Sequence, residues 1–129
     1  MISVRVLKSS EHDRVRSLIN AIFPRTFITI AKDDIIVIAE VGSTPVGFAH
    51  IIGDADRVIL QGIGVVDNMR NQGVGALILE HSLGLLYRWG KPMFLKVKMM
   101  NPAVDLYTRY GFCVKRFGAV SVLVKRIEN

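Results

Sequence analysis

Cysteine is almost absent from this sequence: Cys113 is the only one in 129 residues. No intrachain disulfide can form, and a cytoplasmic location is expected. Its place in an apolar stretch predicts a buried, inert thiol. Long apolar runs are missing as well. Ile35–Val41 is too short to cross a bilayer, and Val74–Trp89 is interrupted by Glu80, His81 and Arg88, so no membrane association is expected. The opening MISVRVLKSS alternates like a strand and does not read as a signal peptide. Repeats, low-complexity segments and linkers are lacking, which predicts a single domain over 1–129. The basic residues are not massed in a tail, so a nucleic-acid arm is disfavoured. No metal site is expected.

Half of the residues are hydrophobic, enough for a sizeable core, and 17 Lys plus Arg stand against 11 Asp plus Glu for a net charge of +6. That surplus suits an anionic ligand or an acidic partner without naming a site.

The chain reads as a succession of elements. Ile2–Leu7 alternates as a strand. Ser10 precedes Glu11 and Asp13 as a helix N-cap, and Val15, Leu18, Ile19 and Ile22 form an apolar stripe that ends before Pro24. Ile35–Val41 and Val46–Ile52 flank a Gly-Ser-Thr-Pro turn as a hairpin, and Arg57–Val66 is a third strand. Gly73–Trp89 is a helix with a thin polar edge of Glu80, Gly84, Tyr87 and Arg88, stopped at Gly90. Met93–Met99 is a strand, and a short helix runs from Asn101 or Pro102 to Tyr110. Phe112–Phe117 and Val120–Ile127 close the chain as a hairpin. The predicted class is α/β, a mixed central sheet in the order β-α-βββ-α-β-α-ββ flanked by helices.

One stretch raises a chemical question. Arg70-Asn71-Gln72-Gly73-Val74-Gly75 places an arginine and two glycines where an apolar helix begins. A strand, a glycine-rich turn and a helix present free backbone N–H groups at the helix start, where they and the helix dipole attract phosphate. Arg70 adds a forked cation. A tight turn with glycines for packing is the bland alternative. The Walker pattern is absent, because no Gly-Lys-Ser/Thr follows. The dinucleotide fingerprint fails too, because position 78 is Ile.

From Leu60 to Phe112 the sequence resembles the GNAT N-acetyltransferase superfamily. The residues that carry the resemblance are Val65-Val66-Asp67 followed by the Arg70–Gly75 stretch, and then Asn101-Pro102-Ala103-Val104-Asp105-Leu106-Tyr107-Thr108-Arg109-Tyr110-Gly111-Phe112. Asp67 departs from the family's usual proline and Asn71 from a common glycine. An alanine is shifted forward by one place after Asn101.

The resemblance implies an enzyme that moves an acetyl group from acetyl-coenzyme A to a primary amine by direct attack on the thioester. It further implies that Arg70, Asn71, Gln72, Gly73, Val74 and Gly75 cradle the pyrophosphate and that Asn101 bonds the cofactor arm. Ile63, Gly64 and Val65 would lie along that arm, on a strand that a bulge splays from its neighbour. Gly62 and Gly64 agree with a bulge or with close approach of a ligand. Tyr107 matches the tyrosine that donates to the departing thiolate; a core tyrosine is the alternative. Asn101 can equally cap its short helix.

The base is less defined. Arg57–Val66 contains no acid, so Gln61 or His50 relaying an ordered water is the candidate, although His50 shares a strand face with Phe48 and Ile52 and reads as a core histidine. Glu40, Asp54 and Asp56 are edge or turn candidates. Phe23–Asp34 and Lys115–Ala119 are expected to shape the acceptor cleft, and their character points to an amine of a protein or peptide, with a small amino-acid-like metabolite next. A polycation is disfavoured. The competing class is a non-catalytic module that binds coenzyme A or nucleic acid, the latter the weaker reading. A homodimer is expected from the apolar strand VSVLV, read as an exposed sheet edge.

Overall fold

The computed structural model describes residues 1–126. It contains β1 (Ile2–Val6), α1 (Asp13–Ile22), β2 (Ile35–Val41), β3 (Thr44–Gly53), β4 (Val58–Val65), α2 (Val74–Trp89), β5 (Met93–Val97), α3 (Ala103–Arg109), β6 (Cys113–Arg116) and β7 (Ser121–Lys125). The order is the one expected from the sequence. The strands form one sheet in the order β1-β2-β3-β4-β5-β7-β6. The β4–β5 pair is parallel and every other pair is antiparallel.

Alternation along the strands builds two cores. Val37, Ala39, Ala49, Ile51, Leu60, Leu95 and Leu123 turn to one face, where Val74, Ile78, Leu79 and Leu83 of α2 cover them. Ile36, Ile38 and Phe48 turn to the other, against Val15, Leu18 and Ile19 of α1. The stripe read from the sequence of α1 is therefore its buried face. α2 stops at Gly90, whose φ of +67° is left-handed backbone that glycine adopts without strain.

Several expectations are corrected. Ser10 does not cap α1: Ser9–Glu11 is a 3-10 turn, the helix starts at Asp13, and the Glu11 carboxylate accepts the Lys8 backbone N–H. Cys113 is exposed, because it sits on β6 at the sheet edge. The VSVLV strand is not an edge. β7 is inserted between β5 and β6, so Leu123 and Val124 are buried and the apolar edge that argued for a dimer does not exist. The last strand ends at Lys125, and Ile127 lies outside the described residues. No helix of the described residues is long and apolar enough to cross a membrane.

Candidate active site

The site begins with a fault in the sheet. β4 and β5 pair only at Val58–Met93 and Ile59–Phe94, then diverge. The cause lies in β4. Opposite β3, His50 faces Gly62 but Ile51 faces Leu60, so Gln61 is an extra residue bulged out of the ladder. Before the bulge Val58 and Leu60 point towards α2; after it Ile63 and Val65 do, one place out of phase. The bulge bends β4 away from β5 and opens a cleft of about 1100 Å³ between them.

The cleft runs through the sheet from face to face. Ile22 and Phe23 at the end of α1 line one mouth, and Leu106 and Tyr107 of α3 line the other. Its walls include Gln61, Ile63, Gly64, Val65, Arg70, Asn71, Gly73, Val74, Gly75, Asn101 and Tyr107. Eleven of the thirteen residues singled out from the sequence thus meet at one opening. Gln72 does not line it; its amide donates to the Asn68 carbonyl at 3.2 Å. His50 does not line it either. Its ring is buried on the α1 side, and Nε2 lies 2.8 Å from Asp34 Oδ2. The reading of a satisfied core histidine describes its surroundings.

The glycine-rich turn lies at the edge of the cleft, at the start of α2. Asn71 and Gly73 are left-handed, with φ of +62° and +81°, and Gly73 stands immediately before the first residue of α2. Asparagine tolerates that conformation better than other side chains do. Arg70 Nε donates to the Val65 carbonyl at 3.3 Å, and its Nη2 lies 3.2 Å from Asp67 Oδ1. The acid that replaces the usual proline therefore partly neutralises the arginine.

The glycines differ in what they serve. A Cβ on Gly64 would lie 2.8 Å from Ile22 and 3.0 Å from Phe23, so the fold itself requires this glycine. A Cβ on Gly75 would meet only Leu106 and Val65, at 3.7 and 3.9 Å, which is ordinary contact. Packing does not explain Gly75.

Tyr107 is 6% exposed and packs edge-on against Phe112. Burial pushes its hydroxyl up to about 12, so the phenol stays protonated across the working range. Asn101 Oδ1 accepts the Ala103 N–H at 2.9 Å, the helix-opening role considered for it. Of the acids weighed as bases, Glu40 and Asp54 are committed elsewhere, and Asp56 lies outside the cleft. Glu40 is held by Arg5 and Arg14, each at 3.0 Å, and Asp54 accepts the backbone N–H groups of Asp56 and Arg57. Among the described residues that line the cleft there is no Asp, Glu or His. Lys96 and Lys98 do line it and were missed; the signal was their alternation with Leu95 and Val97 along β5.

Known proteins agree with this construction. The acetyltransferase (GNAT) domain family matches residues 32–114. No curated protein sequence matches the chain. Among solved structures, Arabidopsis thaliana Naa50 in complex with the bisubstrate analogue CoA-Ac-MVNAL superposes with a TM-score of 0.83 at 18% identity, over 98% of this chain and 99% of that one. The Escherichia coli ribosomal-protein-S18-alanine N-acetyltransferase also gives 0.83, at 16% identity over 100% and 97%. The PaiA N-acetyltransferase of Thermoplasma acidophilum, in complex with coenzyme A, gives 0.80 at 16% identity over 98% and 99%. With its family match covering most of the length and its split sheet beneath a glycine-rich turn, the chain belongs to the GNAT acetyltransferase family, whose acyl donor is acetyl-coenzyme A.

Proposed function

We propose that this chain, acting as one domain, transfers acetyl from acetyl-coenzyme A to a primary amine of a protein or peptide. The observation that carries the proposal is the split between β4 and β5 directly below the Arg70–Gly75 turn. Two relatives of the same fold support the acceptor class: one is held with a peptide-containing bisubstrate analogue, and the other is named for a protein alanine.

Acetyl-coenzyme A supplies a thioester carbonyl to the incoming amine. The turn amides and Arg70 hold its phosphates. Beyond Ile59, the side of β4 that faces the cleft has no strand partner, so its backbone N–H groups are available to the cofactor arm and to negative charge developing on the carbonyl oxygen. Asn101, in the cleft wall, would bond the cofactor arm. As the C–N bond forms and the C–S bond breaks, Tyr107, kept protonated by burial, would donate its proton to the departing thiolate and be restored, through water, by the proton that the amine sheds. Gln61, bulged from β4, orients a water but does not hold the proton.

With no base in the cleft walls, the neutral fraction of the amine follows the amine's own pKa. An α-amine with a pKa near 8 has a roughly hundred-fold or greater advantage over a lysine side chain near 10.4 at neutral pH. The reading therefore favours a polypeptide α-amine. His50 enters only as a support for the segment that carries Asp34.

The test is thiol release from acetyl-coenzyme A with a panel of peptides bearing free or blocked α-amines. Acetylation of the free α-amine is the expected result. Release of no thiol despite binding of the cofactor would favour the second reading, a coenzyme A-binding module, to which the base-free cleft gives some support.

A further inference from the structure

The walls of the cleft carry three cations, Arg70, Lys96 and Lys98, and no acid among the described residues. Arg70 belongs to the turn and is paired with Asp67. Lys96 and Lys98 have a different place. Leu95 and Val97 are buried in the core under α2, so the alternation of β5 turns Lys96 to the opposite face of the sheet, with Lys98 exposed just beyond the strand end. That is the face bounded by Ile22 and Phe23, away from Tyr107. Neither lysine has a carboxylate partner among the described residues.

The rest of the molecule distributes its charge otherwise. Glu11 and Glu40 are tied to Arg5 and Arg14, Asp13 to Arg16, Asp34 to His50 and Asp54 to Arg57. Lys115 and Arg116, exposed on β6, extend the positive surface beyond β7. Other cations without a carboxylate partner among the described residues, such as Lys8, Lys32 and Arg88, are spread over the surface, but Lys96 and Lys98 are the two that line the cleft.

We propose that the acceptor is an amine carrying a carboxylate close by, and that Lys96 and Lys98 recognise that carboxylate. The proposal rests on the acetyl-transfer reading of the site and adds the chemistry of its second substrate. The two lysines are roughly 7 Å apart along the strand direction, close enough to share one carboxylate or to hold two on neighbouring residues. Their field has a second effect. Positive charge beside the acceptor disfavours its ammonium form and lowers its pKa, which raises the neutral fraction in a cleft that holds no base. A polycationic amine gains neither benefit and is repelled.

The experiment compares four acceptors with a free α-amine: a peptide with Asp or Glu at its second and third positions, the same peptide with Asn or Gln there, the same with Lys, and a free dicarboxylic amino acid. Turnover is followed by thiol release, and peptide binding by calorimetry in the presence of coenzyme A. The acidic peptide is expected to exceed its amide counterpart by roughly ten-fold in kcat/KM at low ionic strength, with the gap shrinking as salt rises. Lys96→Gln with Lys98→Gln should abolish that preference, move the rise of the pH–rate profile to higher pH, and leave acetyl-coenzyme A affinity unchanged. Preference for the free amino acid would identify a small acceptor with the same chemistry.

Equal turnover and binding of acidic and neutral peptides would overturn the proposal. So would a double variant that loses cofactor affinity instead, since the lysines would then serve the phosphates. If acetyl-coenzyme A binds but no amine reacts, acetyl transfer fails separately. Calorimetry still decides: lysine-dependent binding of the acidic peptide supports the anion site, and its absence refutes it.

Discussion

Asp34 Oδ2 lies 2.8 Å from His50 Nε2 and also accepts the Ala31 backbone N–H at 2.8 Å, so one carboxylate pins the segment before β2 to the middle of β3. An ionised carboxylate only accepts, so the His50 Nε2 carries the hydrogen. The pair is buried and structural in position. His50→Gln should leave the acidic limb of the pH–rate profile in place while lowering stability by about 1–2 kcal/mol, through loss of a buried hydrogen bond. Denaturant unfolding and the pH profile of kcat check the two halves. A lost acidic limb would return His50 to the proton path.

The two glycines of the site separate fold from function. Gly75→Ala meets no close neighbour and removes a poor helix former, so stability should hold or rise by up to about 1 kcal/mol. Acetyl-coenzyme A affinity should fall, because the new methyl stands at the helix start. Gly64→Ala should do the reverse at the level of the fold, costing about 1–3 kcal/mol by overpacking against Ile22, Phe23 and Phe48. Calorimetric binding and thermal melts of both variants give four readings. A Gly75→Ala protein that binds normally would remove the cradle.

Arg70 and Asp67 should move cofactor affinity in opposite directions. Arg70→Glu sets an anion against the phosphates and should weaken binding by roughly ten-fold or more. Asp67→Asn frees Arg70 from its 3.2 Å partner and should strengthen binding by a few-fold, the scale of an exposed ion pair. Both shifts should shrink in high salt. Titration followed by native mass spectrometry measures them. Unchanged affinity in Arg70→Glu would sink the phosphate assignment.

If the hydroxyl acts on the leaving sulfur as proposed, Tyr107→Phe should reduce kcat more than it raises the KM for acetyl-coenzyme A. The same residue has a signature in stability. Its value in the folded chain, about 12, exceeds the ordinary value of 10, so the unfolded chain loses this proton first. The contribution of Tyr107 is complete below pH 10 and lost as pH climbs towards 12. Tyr107→Phe should flatten that part of the alkaline unfolding curve. Tyr110, raised by its hydrogen bond to Glu80, keeps its own share.

Much of the fold was legible in the residues, and the reasons are local. Gly42, Gly90 and Gly111 occur at left-handed positions that end elements, and the stripe of Val15, Leu18 and Ile19 is a helix face wherever it is placed. The turn from Arg70 to Gly75 could be placed at the start of α2 because its glycines and the apolar run after it are consecutive in sequence. What escaped was set by distant partners. Nothing near Val120–Lys125 says that β7 slips between β5 and β6, and so nothing there says that Cys113 is left at the edge. The pairing of His50 with Asp34 spans sixteen residues of sequence. The bulge suggested by Gly62 and Gly64 is present next to Gly62, but its exact place at Gln61 is fixed by the opposing register of His50 and Ile51.

The divergence of β4 from β5 leaves two raw strand flanks inside a sheet whose outer flanks are β1 and β6. Exposed flanks of this kind invite pairing with foreign chains. Here they face each other across the cleft, with unpaired backbone groups on both sides. A slender amide-bearing arm laid into the cleft would complete a ladder that the protein itself leaves unfinished. Two domain halves joined along that line by two residue pairs would then exchange their amide hydrogens as a single body.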